Sequence, residues 1–396
     1  MATTQPTTVQ GTVEPGFEPV RDAFERNFAE HGEQGAACAA YVRGTKVVDL
    51  WGGVADHTTR RPWTQDTISL IWSATKGPAA MCVHLLAQRG EIDLDRPVAH
   101  YWPEFAQNGK SDITVRMVLS HRAGLPVIDA PLSVDEMIAV TPAIAALERQ
   151  APSWTPGSKH GYHAITYGFL VTEIVRRITG RGVGPFLAEE LAAPLGLDLW
   201  IGLPAEHEHR VTRLIEAAPT DTSAVAAMPA DIQQAAAELA EAVMDPSSVT
   251  HRALHVGGFL TRDMNTARVH ATEWAFGNGI CDARSLARLY AACVGAVDGV
   301  RLLSDEQLEA AIAEQANGPD QVLRYPARWA SGFMLPNRVE SWLGEGSFGF
   351  AGAGGHLGLG HVGHQVGFAY TMTKMFGNLT GDPRPRAALD ALKECL

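Results

Sequence analysis

The chain has 396 residues, more than one simple module needs and enough for two packed lobes. Hydrophobic side chains make up 46% and charged ones 19%, an ordinary globular balance with ample apolar material for a core. Lys and Arg total 32 against 44 Asp and Glu, a formal charge of −12. That acidity argues against a phosphate-tracking surface, so no nucleic-acid partner is expected.

No stretch approaches the ~18–20 continuous apolar residues that span a bilayer, so no membrane partner is expected either. Residues 1–16 are polar, lack a basic start followed by an apolar run, and read as a flexible tail rather than a secretory signal. The cysteines Cys38, Cys82, Cys281, Cys293 and Cys395 are odd in number and widely spaced. A disulfide framework or structural zinc site is not expected, and the chain reads as soluble in a reducing cytoplasm.

In chain order, 18–30 carries Val20, Phe24 and Phe28 at four-residue spacing, the seam of an amphipathic helix. Two β-rich runs, 37–42 and 46–51, flank Arg43-Gly44-Thr45 and predict a hairpin. From Ser73 to about Gly196 the pattern is mostly helical with Pro and Gly punctuation; 164–179 is the clearest helix, closed by Gly180. A second helix is predicted over 231–244, capped by Asp231 and stopped by Pro246. The rest of 203–255 is weakly patterned and reads as a lid or crossover. A helix is predicted over 282–294. Strand-like, Gly-rich sequence returns at 349–360 and 366–372 as paired strands, and 385–396 reads as a closing helix. The simplest architecture is α/β (α+β): an antiparallel sheet flanked by helices, built from 17–72 and 256–396. A mostly helical domain, 73–255, is inserted and carries its chemistry at the interface.

The sharpest chemical feature is Ser73-Ala74-Thr75-Lys76, leading into an apolar helix through Leu86. Positions three apart share a helix face, so the Lys76 amine lies within reach of the Ser73 hydroxyl. Serine is a poor nucleophile until a base takes its proton, and a lysine kept neutral by burial can do so. The helix N-terminus adds a partial positive field and free N–H groups for a developing oxyanion. The plain alternative is a capping serine with a solvent-facing lysine. Ile68, Leu70, Ile71 and Trp72 precede the serine as a buried approach, which favours a perturbed lysine.

The run Ser73 to Met81, the segment 113–125 containing Leu119-Ser120-His121-Arg122-Ala123-Gly124-Leu125, and Trp154-Thr155-Pro156-Gly157 with Tyr162 resemble the penicillin-recognising serine hydrolase superfamily. The closest branch is that of class C β-lactamase-like esterases and acyltransferases, and the resemblance covers roughly 18–376. It implies that Ser73, Lys76 and Tyr162 are catalytic, the phenol sharing proton transfer with the amine. A tyrosinate beside a lysine ammonium is one form such a pair can take, titrating as a unit. Family members acting on β-lactams usually carry Tyr-x-Asn where this chain has Tyr162-His163-Ala164, and Lys-Thr-Gly where it has Phe350-Ala351-Gly352. The resemblance places the oxyanion hole at the backbone N–H groups of Ser73 and Ala353. It suggests Trp72, His163, Phe350, Ala351, Gly352 and His356 as substrate-binding residues. His121 and Asn278-Gly279 match as structural elements.

His356, His361 and His364 lie close together, but Gly-Leu-Gly between the first two is not helical presentation and no acidic partner is near, so no metal is expected. No Gly-x-Ser-x-Gly elbow or phosphate-binding Gly-rich motif is in place, and no cofactor is expected. The expected function is a serine hydrolase of the carboxylesterase type, cleaving a small-molecule ester through an acyl-enzyme. The alternatives are an acyltransferase of secondary metabolism, a β-lactamase or D-amino-acid peptidase, and a non-catalytic binding protein on the same fold.

Overall fold

A computed structural model describes residues 8–217, 230–258, 263–377 and 381–396. Six antiparallel strands form the main sheet: β1 (Val9–Val13), β2 (Gly35–Val42), β3 (Thr45–Asp56), β7 (Ser347–Gly352), β8 (His356–His361) and β9 (Val366–Met372), in spatial order β1-β3-β2-β9-β8-β7. Residues Arg61 and Pro62 add a short ribbon to β3. A second, three-stranded sheet joins β4 (Ser69–Leu70), β5 (Leu199–Ile201) and β6 (Gly279–Cys281), with β6 central. Thus the segment read as helical contributes β5 to a sheet it shares with the flanking chain.

Helices cover both faces of the main sheet. α1 (Glu18–Glu30) and α6 (Pro383–Glu394) pack together, and Phe24 of α1 meets Tyr370 of β9 edge-on at 5.9 Å. α5 (Ala283–Val294) packs against β9, β2 and β8. Side chains alternate across a strand, so one face of β8 and β9 can be stripped to glycine. A Cβ on Gly367 would lie 2.2 Å from the Ala287 carbonyl oxygen, and one on Gly358 would press into Leu286 and Tyr290 at 2.8–2.9 Å. The late glycines therefore let α5 sit directly on the sheet. The small residues of β2, Ala36 to Ala40, are likewise buried, packing overriding the low intrinsic strand preference of alanine.

Three expectations change. The region read as a flexible tail contains β1, whose Val9–Val13 pairs antiparallel with β3; the alternation of buried and exposed positions there is too short to stand out without its partner. The single strand read at 349–360 is two strands, because Gly354 (φ +85°) and Gly355 (φ +116°) adopt left-handed backbone and turn the chain. The closing helix begins at Pro383, with Asp382 capping it by accepting the Arg384 N–H at 2.9 Å. α3 (Thr166–Thr179) ends where Gly180 takes φ +72°. α4 (Ala230–Met244) starts one residue early, and part of the 203–255 segment, residues 218–229, lies outside the described residues.

Candidate active site

Ser73 opens a 3₁₀ turn, Ser73–Thr75, that runs directly into α2 (Lys76–Gln88). Trp72 before it has φ +47°, a strained value for a bulky residue, and its carbonyl accepts both the N–H and the hydroxyl of Thr75. A parallel bridge from Trp72 to Asn278 ties this bend to the loop before β6. Beyond this bend the serine hydroxyl meets two partners.

Lys76 Nζ lies 3.1 Å from Ser73 Oγ, and the Tyr162 phenol donates to the same Oγ at 2.7 Å. Lys76 is fully buried and also donates to the Phe276 carbonyl at 2.7 Å. Its surroundings are aromatic: Nζ stands 5.0 Å from the Tyr162 ring centre, 5.6 Å from Phe350 and 6.0 Å from Tyr167. Burial holds the amine's pKa well below the ordinary lysine value, whereas burial pushes the Tyr162 phenol up. Burial thus favours the neutral amine and the neutral phenol. The tyrosinate–ammonium form weighed from sequence is disfavoured, because burial acts against both charges. In the neutral form the Ser73 O–H donates to Nζ while its oxygen accepts from the phenol.

Tyr162 comes from a loop in which three sequence motifs close on one another. Arg122 O accepts the Gly157 N–H at 2.9 Å, and Gly124 O accepts the Ser153 N–H at 2.7 Å. His121, at φ +59°, gives its carbonyl to the Gly161 N–H and its Nδ1 to the His163 N–H. His163, expected from the resemblance to contact substrate, is instead fully buried, accepting the Leu125 N–H on Nε2 and donating from Nδ1 to Gly161 O. Burial pushes its pKa down to about 4, so it stays a neutral brace.

The remaining suggested residues divide. Gly352, at the end of β7, abuts the nucleophile turn: a Cβ there would lie 2.2 Å from the Ile71 carbonyl oxygen and 3.2 Å from the Ala74 nitrogen. That approach brings Ala353 beside Ser73, and neither residue's N–H donates to another group in the described chain. Trp72 and Ala353 are half-buried, whereas Ala351, also half-buried, lines a separate cavity beside His356. Phe350 is buried at 1% exposure and packs on Tyr162 and Trp329, at 6.1 and 5.8 Å, rather than facing a substrate. Its ring is one of the apolar groups that bury the Lys76 amine. His356 is also buried, pushed down to about 3 by burial and then by Arg384, and borders a cavity of about 40 Å³ with Glu340, Trp342 and Asp382; Ser73, Lys76 and Tyr162 do not line it. His361 spends Nε2 on Glu345 O and Nδ1 on the His364 N–H. Among the described residues no group of three His, Cys, Asp or Glu is arranged to hold a metal ion.

Neither the Phe276 carbonyl nor the two buried charges behind the site, Arg384 and Asp320, stand in a sequence motif. Asn278 orders the Phe276 loop, its amide donating to Val269 O and Thr272 O and its oxygen accepting the Trp274 N–H. Arg384, 3% exposed at its side chain, pairs with Glu33 (3.1 Å) and Asp382 (2.6 Å) and donates to Gly354 O at 2.8 Å, clamping the turn that presents Ala353. Asp320 bonds the Tyr162 backbone. The contacts Lys76–Phe276, Arg384–Gly354 and Asp320–Tyr162 join residues 200, 30 and 158 positions apart, so no local pattern announces them.

A serine at the head of a helix, an amine one turn on and a phenol from a neighbouring loop, set beside an antiparallel sheet, define an active-site serine fold of the β-lactamase type. The chain belongs to the β-lactamase family, whose profile matches residues 20–393. It is 33% identical over 381 residues to the esterase/β-lactamase LipL of Mycobacterium tuberculosis, covering 94% of this chain and 84% of that one. Among solved structures it resembles a family VIII carboxylesterase (33% identity, TM-score 0.87, 98% of this chain and 100% of that one). It also resembles a penicillin-binding protein homologue from Caulobacter crescentus (36% identity, TM-score 0.83, 98% and 100%).

Proposed function

We propose that the chain is a carboxylic ester hydrolase working through an acyl-enzyme on Ser73. The observation that carries the reading is the convergence of a buried amine and a phenol on one hydroxyl, at 3.1 and 2.7 Å. Neutral Lys76 takes the Ser73 proton as Oγ bonds to the ester carbonyl carbon. The carbonyl oxygen becomes an oxyanion, held by the N–H groups of Ser73 and Ala353. The Lys76 ammonium so formed is stabilised by Phe276 O and three aromatic rings. As the C–O bond breaks, the Tyr162 phenol protonates the leaving alkoxide and recovers a proton from Lys76. Water then repeats the sequence on the acyl carbonyl and releases the acid.

Esters are preferred over β-lactams and peptides because Phe350 supplies no cation for a substrate carboxylate and Ala164 no amide for a side-chain carbonyl. The names of LipL and the family VIII carboxylesterase support the same reading. Five unpaired cysteines, four of them buried, support a reducing, cytoplasmic location, and no helix among the described residues is long and apolar enough to cross a membrane. Ser73→Ala is expected to lower turnover of p-nitrophenyl esters by more than ~100-fold, with loss of the acylated peptide in mass spectra. Near-normal turnover removes the proposal. A chromogenic cephalosporin cleaved faster than any ester returns the assignment to a β-lactamase, and ester product appearing with added alcohol to an acyltransferase.

A further inference from the structure

We propose that Asp320 is a positioning residue for the Tyr162 phenol; this rests on the reading of Tyr162 as proton donor to the leaving group. Asp320 sits in the loop of a hairpin formed by Ala316–Pro319 and Pro326–Trp329 and is 1% exposed. Its Oδ1 accepts the backbone N–H of Tyr162 at 2.9 Å, together with those of Val322 and Leu323 at 2.8 and 2.9 Å. Its Oδ2 accepts the Trp329 indole N–H at 3.1 Å. The Trp329 ring in turn lies parallel to the Tyr162 ring, 4° apart in plane with centres 5.6 Å apart.

One carboxylate therefore holds the phenol twice, at its backbone and, through the indole, across its ring face. A hairpin needs only the two bonds inside its own loop; the other two go to Tyr162 and to the ring stacked on it. The four N–H groups bonded to the carboxylate do not include the Ser73 hydroxyl, the Lys76 amine or the Tyr162 hydroxyl, so Asp320 acts through the placement of Tyr162. The titratable groups beside that ring are Lys76 and His121, with Tyr167 and Tyr325 farther off and coupled only electrostatically, and none of them bonds its hydroxyl, which is committed to Ser73.

The test separates positioning from general stability by leaving-group dependence. In Asp320→Asn the amide oxygen still accepts the backbone N–H groups, but its NH₂ faces the indole N–H, donor against donor. A misplaced general acid matters most when the leaving alcohol is a strong base and least when it is a nitrophenolate. Asp320→Asn is expected to lower kcat/KM for an ethyl ester ~10–100-fold more than for the p-nitrophenyl ester of the same acid. Tyr162→Phe is the control and is expected to show the same selectivity more strongly. Equal losses on both esters in Asp320→Asn, beside a selective Tyr162→Phe, overturn the proposal and leave the hydrolase reading standing. No selectivity in Tyr162→Phe sinks the phenol's role and this inference with it. If Asp320→Asn does not fold, Trp329→Phe removes the indole donor while keeping a ring, and equal losses there overturn the proposal as well.

Discussion

Lys76→Met replaces a fully buried amine by an apolar side chain of similar length, and its pH signature follows from the structure. In the folded chain burial holds the amine's pKa well below 10.5; in the unfolded chain it returns to 10.5. Between those two values the unfolded state binds one more proton than the folded one, so wild-type stability rises with pH by about 1.4 kcal/mol per unit. Below the folded pKa both states carry the proton and the slope vanishes. Methionine does not titrate, so the variant's stability minus the wild type's falls at that slope through the window, whatever the offset between them. His121, the neighbour whose titration senses Lys76, is itself held well below 6.5 by burial and drops out of the alkaline range. Urea unfolding of both proteins from acid through neutral to alkaline pH measures the difference. The break in the curve should coincide with the acid limb of wild-type kcat/KM, because the neutral amine is the base. The variant should lose ~10²–10⁴-fold in kcat/KM. Parallel stability curves across the whole range would refute a neutral, buried Lys76.

Two further substitutions probe the oxyanion side. Gly352→Ala places a methyl 2.2 Å from the Ile71 carbonyl oxygen, so the strand and the nucleophile turn must part. Overpacking of this kind costs ~1–3 kcal/mol, and fluorophosphonate labelling of Ser73 should slow about tenfold or more; labelling at the wild-type rate shows the strand does not set the hole. Arg384→Met leaves Glu33 and Asp382 buried without their cation, at a cost of ~3–5 kcal/mol. Burial already raises Glu33 and Arg384 opposes that rise, so the variant's folded carboxyl pKa climbs further above its unfolded value. The folded state then holds the extra proton, and the loss in melting temperature should shrink as pH falls towards the ordinary carboxyl range. A pH-independent loss argues against the clamp.

Much of the fold is legible locally. Val20, Phe24 and Phe28 mark α1, Gly180 marks the end of α3, and the Arg43-Gly44 turn marks the β2–β3 hairpin. β1 and β5 escape notice because each is three to five residues long and becomes a strand through its partner. At the site, Ser73 and Lys76 are visible together, while His163, Phe350 and His356 cannot be told from substrate contacts until their burial is known.

By itself the chain determined whatever the geometry of a few consecutive peptides can encode. A helix turns about 100° per residue, so Ser73 and Lys76 share a face wherever α2 lies. Tertiary structure decided which groups meet them and in what charge state. Tyr162 arrives from 89 residues away, Phe276 from 200 residues beyond Lys76, and Asp320 from another 44 residues beyond Phe276. Protonation follows the same division. Removing water from an amine is the joint work of every side chain packed around it, and no spacing rule along the chain records that sum.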